Sequence, residues 1–160
     1  MDRLRDKTAL ITGAARGIGG KIAQRFSEEG AHVIINDINL EAAREMADQI
    51  GGSAIACDVS DSLAVDEMFE QVEQQFENLD ILVNNAGISG LEDDSVAHDR
   101  LLAAYAENSN ETKIPILEVT DEAWGKMLAV HLNGTFFCSR AALRIMINQK
   151  GRNVGRSNII

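Results

Sequence analysis

The stretch Thr12-Gly-Ala-Ala-Arg-Gly-Ile-Gly19 joins an apolar run at residues 8–12 to a helix that we predict to begin near Gly17. Glycine permits positive φ and lets the backbone approach a ligand without a Cβ in the way. The N-terminus of the following helix offers unpaired N–H groups and a partial positive charge to an anion. A strand, a glycine-rich turn and a helix in this order predict a site for the pyrophosphate of a dinucleotide.

The loop of P-loop ATPases is a competing interpretation of this turn, because Gly20-Lys21 fits part of the ATPase pattern. That pattern requires a glycine where this chain has Ala15. It also requires a serine or threonine, to bind Mg²⁺, where this chain has Ile22. We therefore reject the ATPase interpretation.

Apolar strand-like runs alternate with helical patterns along the first half of the chain. Beyond residues 8–12, strands are predicted at 32–36, 53–57 and 80–84. Ile18, Ile22 and Phe26 lie four residues apart, as on one face of a helix. The strands are continuous apolar runs, so both faces of the sheet should be buried. The predicted fold class is α/β: a Rossmann-type doubly wound parallel sheet between two helical layers, with strand order 3-2-1-4-5.

The second half of the sequence predicts one long helix and a further strand. The helix begins after Thr120, whose hydroxyl can cap it, and extends to about Gln149 with a bend near Gly134. Residues 157–160 begin a fifth strand, in which the sequence ends. We interpret residues 1–160 as a single dinucleotide-binding domain, truncated after strand five, and expect it to be the N-terminal part of a longer chain.

A long connection at residues 88–120 separates the fourth strand from this helix. It contains the only proline, Pro115, and a short helix is predicted at 100–106. Connections of this length in a compact domain usually have a function of their own. We expect an insertion near the substrate side of the site.

Composition restricts the class of partner. Twenty-five acidic and fifteen basic residues give a net charge of −10, which disfavours nucleic acid and anionic membrane surfaces. No apolar run reaches the roughly 20 residues that span a bilayer, and the N-terminus lacks the apolar core of a signal peptide. We predict a cytoplasmic protein.

The cysteines and histidines fit no metal-binding spacing. Cys57 and Cys138 are far apart in the sequence, and the three histidines are scattered. We predict two buried free thiols and no metal site.

Asp37 is the residue that favours NAD. It ends the second predicted strand, eighteen residues after Gly19. A carboxylate at this place can accept hydrogen bonds from the adenosine ribose hydroxyls, and it would repel the 2′-phosphate of NADP. Arg16 is the opposing feature, because its guanidinium could pair with that phosphate. NAD is the predicted cofactor, with NADP as the alternative.

At this point the sequence resembles the short-chain dehydrogenase/reductase family, and in particular its 3-oxoacyl-carrier-protein reductase-like branch. The resemblance is carried by four separated motifs in the order of the family. They are the glycine-rich turn, Asp58-Val59 after the third strand, Asn84-Asn85-Ala86-Gly87 at the end of the fourth, and the segment Trp124–Arg140 in the long helix.

The resemblance implies the residues that bind the cofactor. Asp58 could instead cap a turn, and Asn85 could serve only the sheet. The implied set is Gly13, Arg16, Gly17, Ile18 and Gly19 around the pyrophosphate and adenosine, Asp37 and Ile38 at the adenosine ribose, Asp58 and Val59 at the adenine, and Asn85, Ala86 and Gly87 below the ribose and nicotinamide.

The sequence departs from the family in its catalytic residues. The family uses a Ser and a Tyr-x-x-x-Lys that follow the fifth strand. The only tyrosine here is Tyr105, with Ser109 four residues later, so these 160 residues contain no catalytic candidate. Many members carry a catalytic Asn in the long helix, and His131 stands at the matching position, two residues before Asn133. His131 could relay protons or pack beneath the cofactor; both alternatives stay open.

The function implied is hydride transfer between NAD(H) and a secondary alcohol or ketone, such as a 3-oxoacyl substrate, by an enzyme that forms a homo-oligomer, most simply a tetramer. In this interpretation the present residues hold and orient the cofactor. The alternative is a non-catalytic, truncated dinucleotide-binding module. The sequence does not identify the small-molecule substrate.

Overall fold

The computed structural model describes residues 2–88, 119–149 and 157–160. Its strands are β1 (Thr8–Thr12), β2 (His32–Asp37), β3 (Ser53–Ala56), β4 (Ile81–Val83) and β5 (Asn158–Ile159). They form one parallel sheet in the order β3-β2-β1-β4-β5. The parallel pairing and the strand order confirm the predicted sheet.

The helices of the described ranges begin and end close to the predicted residues. They are α1 (Gly17–Glu28), α2 (Leu40–Ile50), α3 (Ser62–Gln75), α4 (Asp121–Leu128), a π-helical segment (Ala129–Gly134) and α5 (Thr135–Asn148). Side-chain oxygens of Asn39, Asp61 and Thr120 accept backbone N–H groups at the starts of α2, α3 and α4. These caps satisfy donors that have no partner inside the helix.

Alternate residues of each strand enter two different cores. Leu10 and Ile34 pack with α3 and α5, whereas their neighbours Ile11 and Ile35 pack with α1 and α2. Successive side chains of a strand point to opposite faces, so two buried faces need continuous apolar runs. The three-layer arrangement follows from these runs.

The long predicted helix is present from α4 to α5, but it is not regular. Leu128 and Thr135, at the two ends of the π-helical segment, keep right-handed helical dihedrals, so the helix continues through it. Gly134 is buried there, and a Cβ on it would lie 2.9 Å from Cγ2 of Val59. At the predicted bend near Gly134 the structure thus has a wider helical turn, packed against Val59 three residues beyond the end of β3.

Several predictions concern residues outside the described ranges. The short helix at 100–106, Tyr105 and most of the 88–120 insertion are among them. Within residues 2–88, 119–149 and 157–160, no helix is long and apolar enough to cross a membrane.

Candidate functional site

The candidate site lies at one edge of the sheet, where the carboxyl ends of the parallel strands meet. Thr12 pairs with Asn36, and Ile11 pairs with Val83, so β1, β2 and β4 end side by side. The strand order reverses between β1 and β4, and ligands of open α/β sheets bind at such a point. The glycine-rich turn leaves β1 here and opens α1.

The glycines of the turn serve two purposes. Gly13 and Gly17 both have φ of +61°, which L side chains rarely adopt. A Cβ on Gly13 would also lie 2.8 Å from Cα of Ala86, and one on Gly19 would lie 2.5 Å from Nδ2 of Asn85. Gly13 and Gly19 therefore allow the turn to pack against the chain that follows β4. A Cβ on Gly17 would meet no atom within 4 Å, so the space at the start of α1 is open.

Thr12 and Asn85 fasten the turn to the end of β4. The Thr12 hydroxyl oxygen accepts the backbone N–H groups of Asn85 and Ala86, each at 3.0 Å. The Asn85 side-chain amide donates to the carbonyls of Thr12 at 2.9 Å and Gly13 at 3.0 Å. Both amide protons of Asn85 are thus used inside the protein. Thr12 was quoted in the motif, but its role was missed because its partners lie 73 and 74 residues away in the sequence.

Asp37 lies directly beside the turn. Its carboxylate accepts the N–H of Ala15 at 3.2 Å and the N–H of Asn39 at 3.1 Å. The N–H of Ala14 donates to the carbonyl of Asn36 at 2.9 Å, which ties the turn to β2. Among the described residues, Asp37 forms no ion pair with a cation. Neutral N–H donors therefore hold this carboxylate at the edge of the site.

Three further members of the implied set are exposed at this edge. Arg16 is the residue before α1, and its side chain is exposed. Ile18 is 76% exposed and Ile38 is 73% exposed. Isolated apolar side chains on a surface are common, but these two border a turn with open space above it.

Asp58 and Val59 behave differently from one another. Oδ1 of Asp58 accepts the N–H of Ser60 at 2.9 Å and its hydroxyl at 2.7 Å, so Asp58 does cap a turn, and the residue is exposed. Val59 is buried and packs against Gly134. Val59, Gly134, Thr12 and Ala86 are among the residues that line a shallow concavity between the sheet edge and the long helix.

Gly87 and the neighbouring Ile88 are in contact with His131 of the π-helical segment. Nε2 of the His131 ring lies 3.1 Å from the N of Ile88 and 2.8 Å from its carbonyl oxygen. A Cβ on Gly87 would lie 2.6 Å from Cε1 of the same ring. The Thr135 hydroxyl donates to the carbonyl of His131 at 2.7 Å. The long helix therefore touches the chain after β4 through this imidazole.

The two cysteines lie in the core beneath the site as free thiols. Burial raises the pKa of each thiol to about 12, and at Cys57 the nearby carboxylates of Asp58, Asp61 and Glu67 raise it further. Both thiols stay protonated at neutral pH and are poor nucleophiles. Within the described ranges, no group of three or more His, Cys, Asp or Glu side chains could hold a metal ion.

The geometry can be tested against a dinucleotide. The open space at Gly17 lies at a helix N-terminus, which suits a pyrophosphate. Asp37 adjoins the same turn through Ala15, where a ribose hydroxyl would find an acceptor. The exposed Ile18 and Ile38 offer apolar contact beside these polar groups. These residues fit a dinucleotide bound across the sheet edge.

A family model described as short chain dehydrogenase matches residues 7–156. The chain belongs to the short-chain dehydrogenase family. The match covers β1, the glycine-rich turn, the residues after β4 and the long helix. The family resemblance seen in the sequence is thereby confirmed.

Several members of the short-chain dehydrogenase family are similar to this chain. A sorbitol dehydrogenase from Cereibacter sphaeroides is 40% identical over 147 residues, which are 91% of this chain and 49% of that protein. A galactitol 2-dehydrogenase from Agrobacterium fabrum is 37% identical over the same number of residues and the same shares. The chain spans about half the length of these curated relatives.

Solved structures show the same fold. A 3-ketoacyl-(acyl-carrier-protein) reductase from Brucella melitensis, complexed with NADH, superimposes with a TM-score of 0.71 and 30% identity. The superposition covers 89% of this chain and 51% of that one. This similarity agrees with the resemblance of the sequence motifs to the 3-oxoacyl-carrier-protein reductase-like branch of the family.

Proposed function

We propose that this chain binds NAD(H) for an oxidoreductase that transfers a hydride between the cofactor and a secondary alcohol or ketone. The observation that carries the proposal is the carboxylate of Asp37, hydrogen-bonded to the turn at Ala15 and without a cationic partner in the described part of the chain. A negative charge at this place accepts ribose hydroxyls and repels a 2′-phosphate. Family membership supports the reaction class.

The proposal assigns a role to each member of the implied set. Asn85 acts by shaping the turn rather than by donating to the cofactor, because both of its amide protons are already used. The pyrophosphate and adenosine are assigned to Gly13, Arg16, Gly17, Ile18 and Gly19, the adenosine ribose to Asp37 and Ile38, the adenine to Asp58 and Val59, and the space below the ribose and nicotinamide to Asn85, Ala86 and Gly87.

The chemistry of these residues is binding and orientation. Bound NAD(H) supplies the hydride. The turn and α1 fix the pyrophosphate, and the residues after β4 fix the other end of the cofactor, which keeps the reactive carbon within reach of a substrate. Proton transfer is assigned to a Ser and a Tyr-x-x-x-Lys, and the 160 residues contain no such tyrosine. We also propose that residues 1–160 form one domain and that 88–120 borders the substrate.

A cofactor titration tests the proposal. Trp124, the only tryptophan, is half-exposed near the start of the long helix and reports binding by its fluorescence. We expect NADH to bind at least about tenfold more tightly than NADPH, because one lost hydrogen bond to a charged group and one added repulsion both oppose the phosphate. Tighter binding of NADPH would contradict the role of Asp37. Asp37→Ser is the matched variant, and it should reduce the difference between the affinities for NADH and NADPH.

The substrate class rests on the relatives. Two of them are named for sorbitol and galactitol, and a solved neighbour is named as a 3-ketoacyl reductase. We propose a polyol as the first substrate to test and a 3-ketoacyl thioester as the second. In a protein that also carries the Ser and Tyr-x-x-x-Lys part, NADH formation with the polyol and NADH consumption with the 3-ketoacyl thioester, both followed at the NADH absorbance band, decide between them. Activity with neither compound would remove the substrate assignment and leave the cofactor assignment intact.

Self-association and a cytoplasmic location complete the proposal. Six large apolar side chains are exposed along the long helix, and an exposed apolar stripe of this kind supports contact between copies. They are Trp124, Leu128, Leu132, Phe136, Leu143 and Ile147. Light scattering should report an oligomer, most simply a tetramer, and Leu132→Glu should shift it towards smaller species. A monomeric wild-type protein would contradict this part.

A further inference from the structure

One ring nitrogen of His131 faces two opposite partners. Nε2 lies 3.1 Å from the backbone nitrogen of Ile88, a donor, and 2.8 Å from the carbonyl oxygen of the same residue, an acceptor. Both distances are in the range of a hydrogen bond. Both backbone groups thus compete for one atom.

A neutral imidazole nitrogen is either a donor or an acceptor. If Nε2 carries the hydrogen, it bonds the carbonyl of Ile88 and leaves the N–H of Ile88 facing another N–H. If Nε2 is bare, it accepts that N–H and turns its lone pair to the carbonyl oxygen. An asparagine amide offers a donor and an acceptor side by side, so it could satisfy both groups at once.

The surroundings of the ring keep it in this place. Gly87 leaves room for Cε1, since a Cβ there would approach it to 2.6 Å. Thr135 holds the carbonyl of His131 at 2.7 Å, and such bonds to the preceding helical turn are associated with irregular helices. Gly134 anchors the same π-helical segment on Val59. π-Helical turns frequently occur at functional sites.

We propose that His131 is a positioning residue: through a single hydrogen bond, selected by its tautomer, it fixes the Gly87–Ile88 backbone that borders the nicotinamide end of the site. The inference rests on the proposed function for the location of the cofactor. It departs from a purely space-filling role, in which an apolar side chain of similar size would serve equally well.

The experiment compares the wild-type protein with His131→Asn and His131→Leu. Asn restores a donor and an acceptor, whereas Leu keeps apolar volume and removes both. Backbone amide exchange of Ile88 and the nitrogen chemical shifts of the His131 ring are measured by NMR. NADH dissociation constants are measured by Trp124 fluorescence.

We expect one tautomer in the wild-type spectrum rather than an averaged ring. Exchange of the Ile88 amide should be about threefold to tenfold slower in His131→Asn than in His131→Leu, the effect of one hydrogen bond. NADH should bind about threefold to tenfold more weakly to His131→Leu, with wild-type affinity regained in His131→Asn. Rescue by Asn but not by Leu distinguishes positioning from packing.

His32 supplies a matched control at the opposite edge of the sheet. Its Nε2 lies 3.0 Å from the Ser53 hydroxyl, so it is also a hydrogen-bonded, exposed imidazole. His32→Asn and His32→Leu should change neither Ile88 exchange nor NADH affinity. Equal Ile88 exchange in the wild type and both His131 variants, together with an averaged ring tautomer, overturns the proposal. Absence of NADH binding in every variant instead refutes the proposed function, and the exchange data still decide the role of His131.

Discussion

The two edges of the sheet treat their carboxylates in opposite ways. At the amino-terminal edge, buried Asp80 lies 2.8 Å from the ammonium of Lys7, and buried Glu29 pairs with Arg3 and Arg25. At the carboxyl-terminal edge, within the described ranges, Asp37 and Asp58 accept hydrogen bonds from N–H and hydroxyl groups and pair with no cation.

The difference separates stability from function within one sheet. A buried carboxylate with a cation has its charge compensated, and removing either partner is costly. A carboxylate held only by neutral donors keeps a charge that a ligand can use. The glycine-rich turn and the exposed Ile18 and Ile38 lie at this second edge. Variants at the two edges should therefore divide into those that lower stability and those that lower cofactor affinity.

Gly13→Ala should have the largest effect, because Gly13 contributes both to the stability of the fold and to the shape of the cofactor-binding turn. Its φ is +61°, and a Cβ would lie 2.8 Å from the Ala86 backbone. The left-handed conformation and the overlap together should lower the free energy of unfolding by about 2–4 kcal/mol. NADH affinity should fall more than about tenfold as the turn moves, since 1.4 kcal/mol is a factor of ten. Urea denaturation and cofactor titration measure the two effects.

Gly51→Ala is the control for that variant. Gly51 has φ of +67°, but a Cβ there would meet no atom within 4 Å, and it ends α2 far from the turn in sequence. Only the conformational cost of about 1–2 kcal/mol should remain, with NADH affinity unchanged. Equal destabilisation of both variants with normal NADH binding by Gly13→Ala would show that the turn is not held by β4.

Asp80→Asn and Asp37→Asn test the comparison directly. Both oxygens of Asp80 are used, one by Lys7 at 2.8 Å and one by the N–H of Thr8 at 3.0 Å. An amide has one acceptor, so Asp80→Asn should lower the free energy of unfolding by about 2–3 kcal/mol and spare NADH affinity. Because Asp37 is half-exposed, Asp37→Asn should lower the free energy of unfolding by less than about 1 kcal/mol, whereas NADH affinity should fall roughly tenfold. The proposed difference between the two edges would be contradicted if Asp80→Asn lowered NADH affinity and Asp37→Asn lowered stability instead.

Acid should weaken the amino-terminal edge selectively. The hydrogen bond from Arg3 lowers the pKa of Glu29 from 4.5 to about 2, against the opposing effect of burial. A lowered pKa stabilises the folded state above pH 4.5, and this contribution is lost as the pH falls towards 2. Arg3→Gln should therefore move the acid-unfolding midpoint upwards, measured by circular dichroism. Within the described ranges Lys21 donates to Gln24 and to no carboxylate, so Lys21→Gln is the control and should leave the midpoint unchanged.

The sequence predicted what depends on neighbouring residues. Strand and helix order follow from apolar periodicity, and the turn is signalled by three glycines within seven residues, Gly13, Gly17 and Gly19. Asp37 was predicted at the end of β2 for the same local reason. These features are encoded within a few residues, so no knowledge of distant contacts was needed.

Contacts between distant segments were not predicted. The clamp of Thr12 on the backbone after β4 and the pairing of Lys7 with Asp80 both join residues 73 apart. No sequence pattern around one residue of either pair indicates which distant residue is its partner. The role of His131 was left open for the same reason, although its place in the helix was recognised. Long-range packing decides these positions, and periodicity carries no information about it.

The π-helical segment determines how α4 and α5 are rotated relative to one another about the axis of the long helix. Each residue of an α-helix turns the chain by about 100°, so one residue more or less rotates everything beyond it by that angle. Removing a residue between Ala129 and Gly134 would restore a regular helix while swinging Trp124 and Leu128 away from the line that they share with Phe136. The wider helical turn thus fixes the rotation of α4 relative to α5, and this rotation determines which side chains the two helices expose on a shared face.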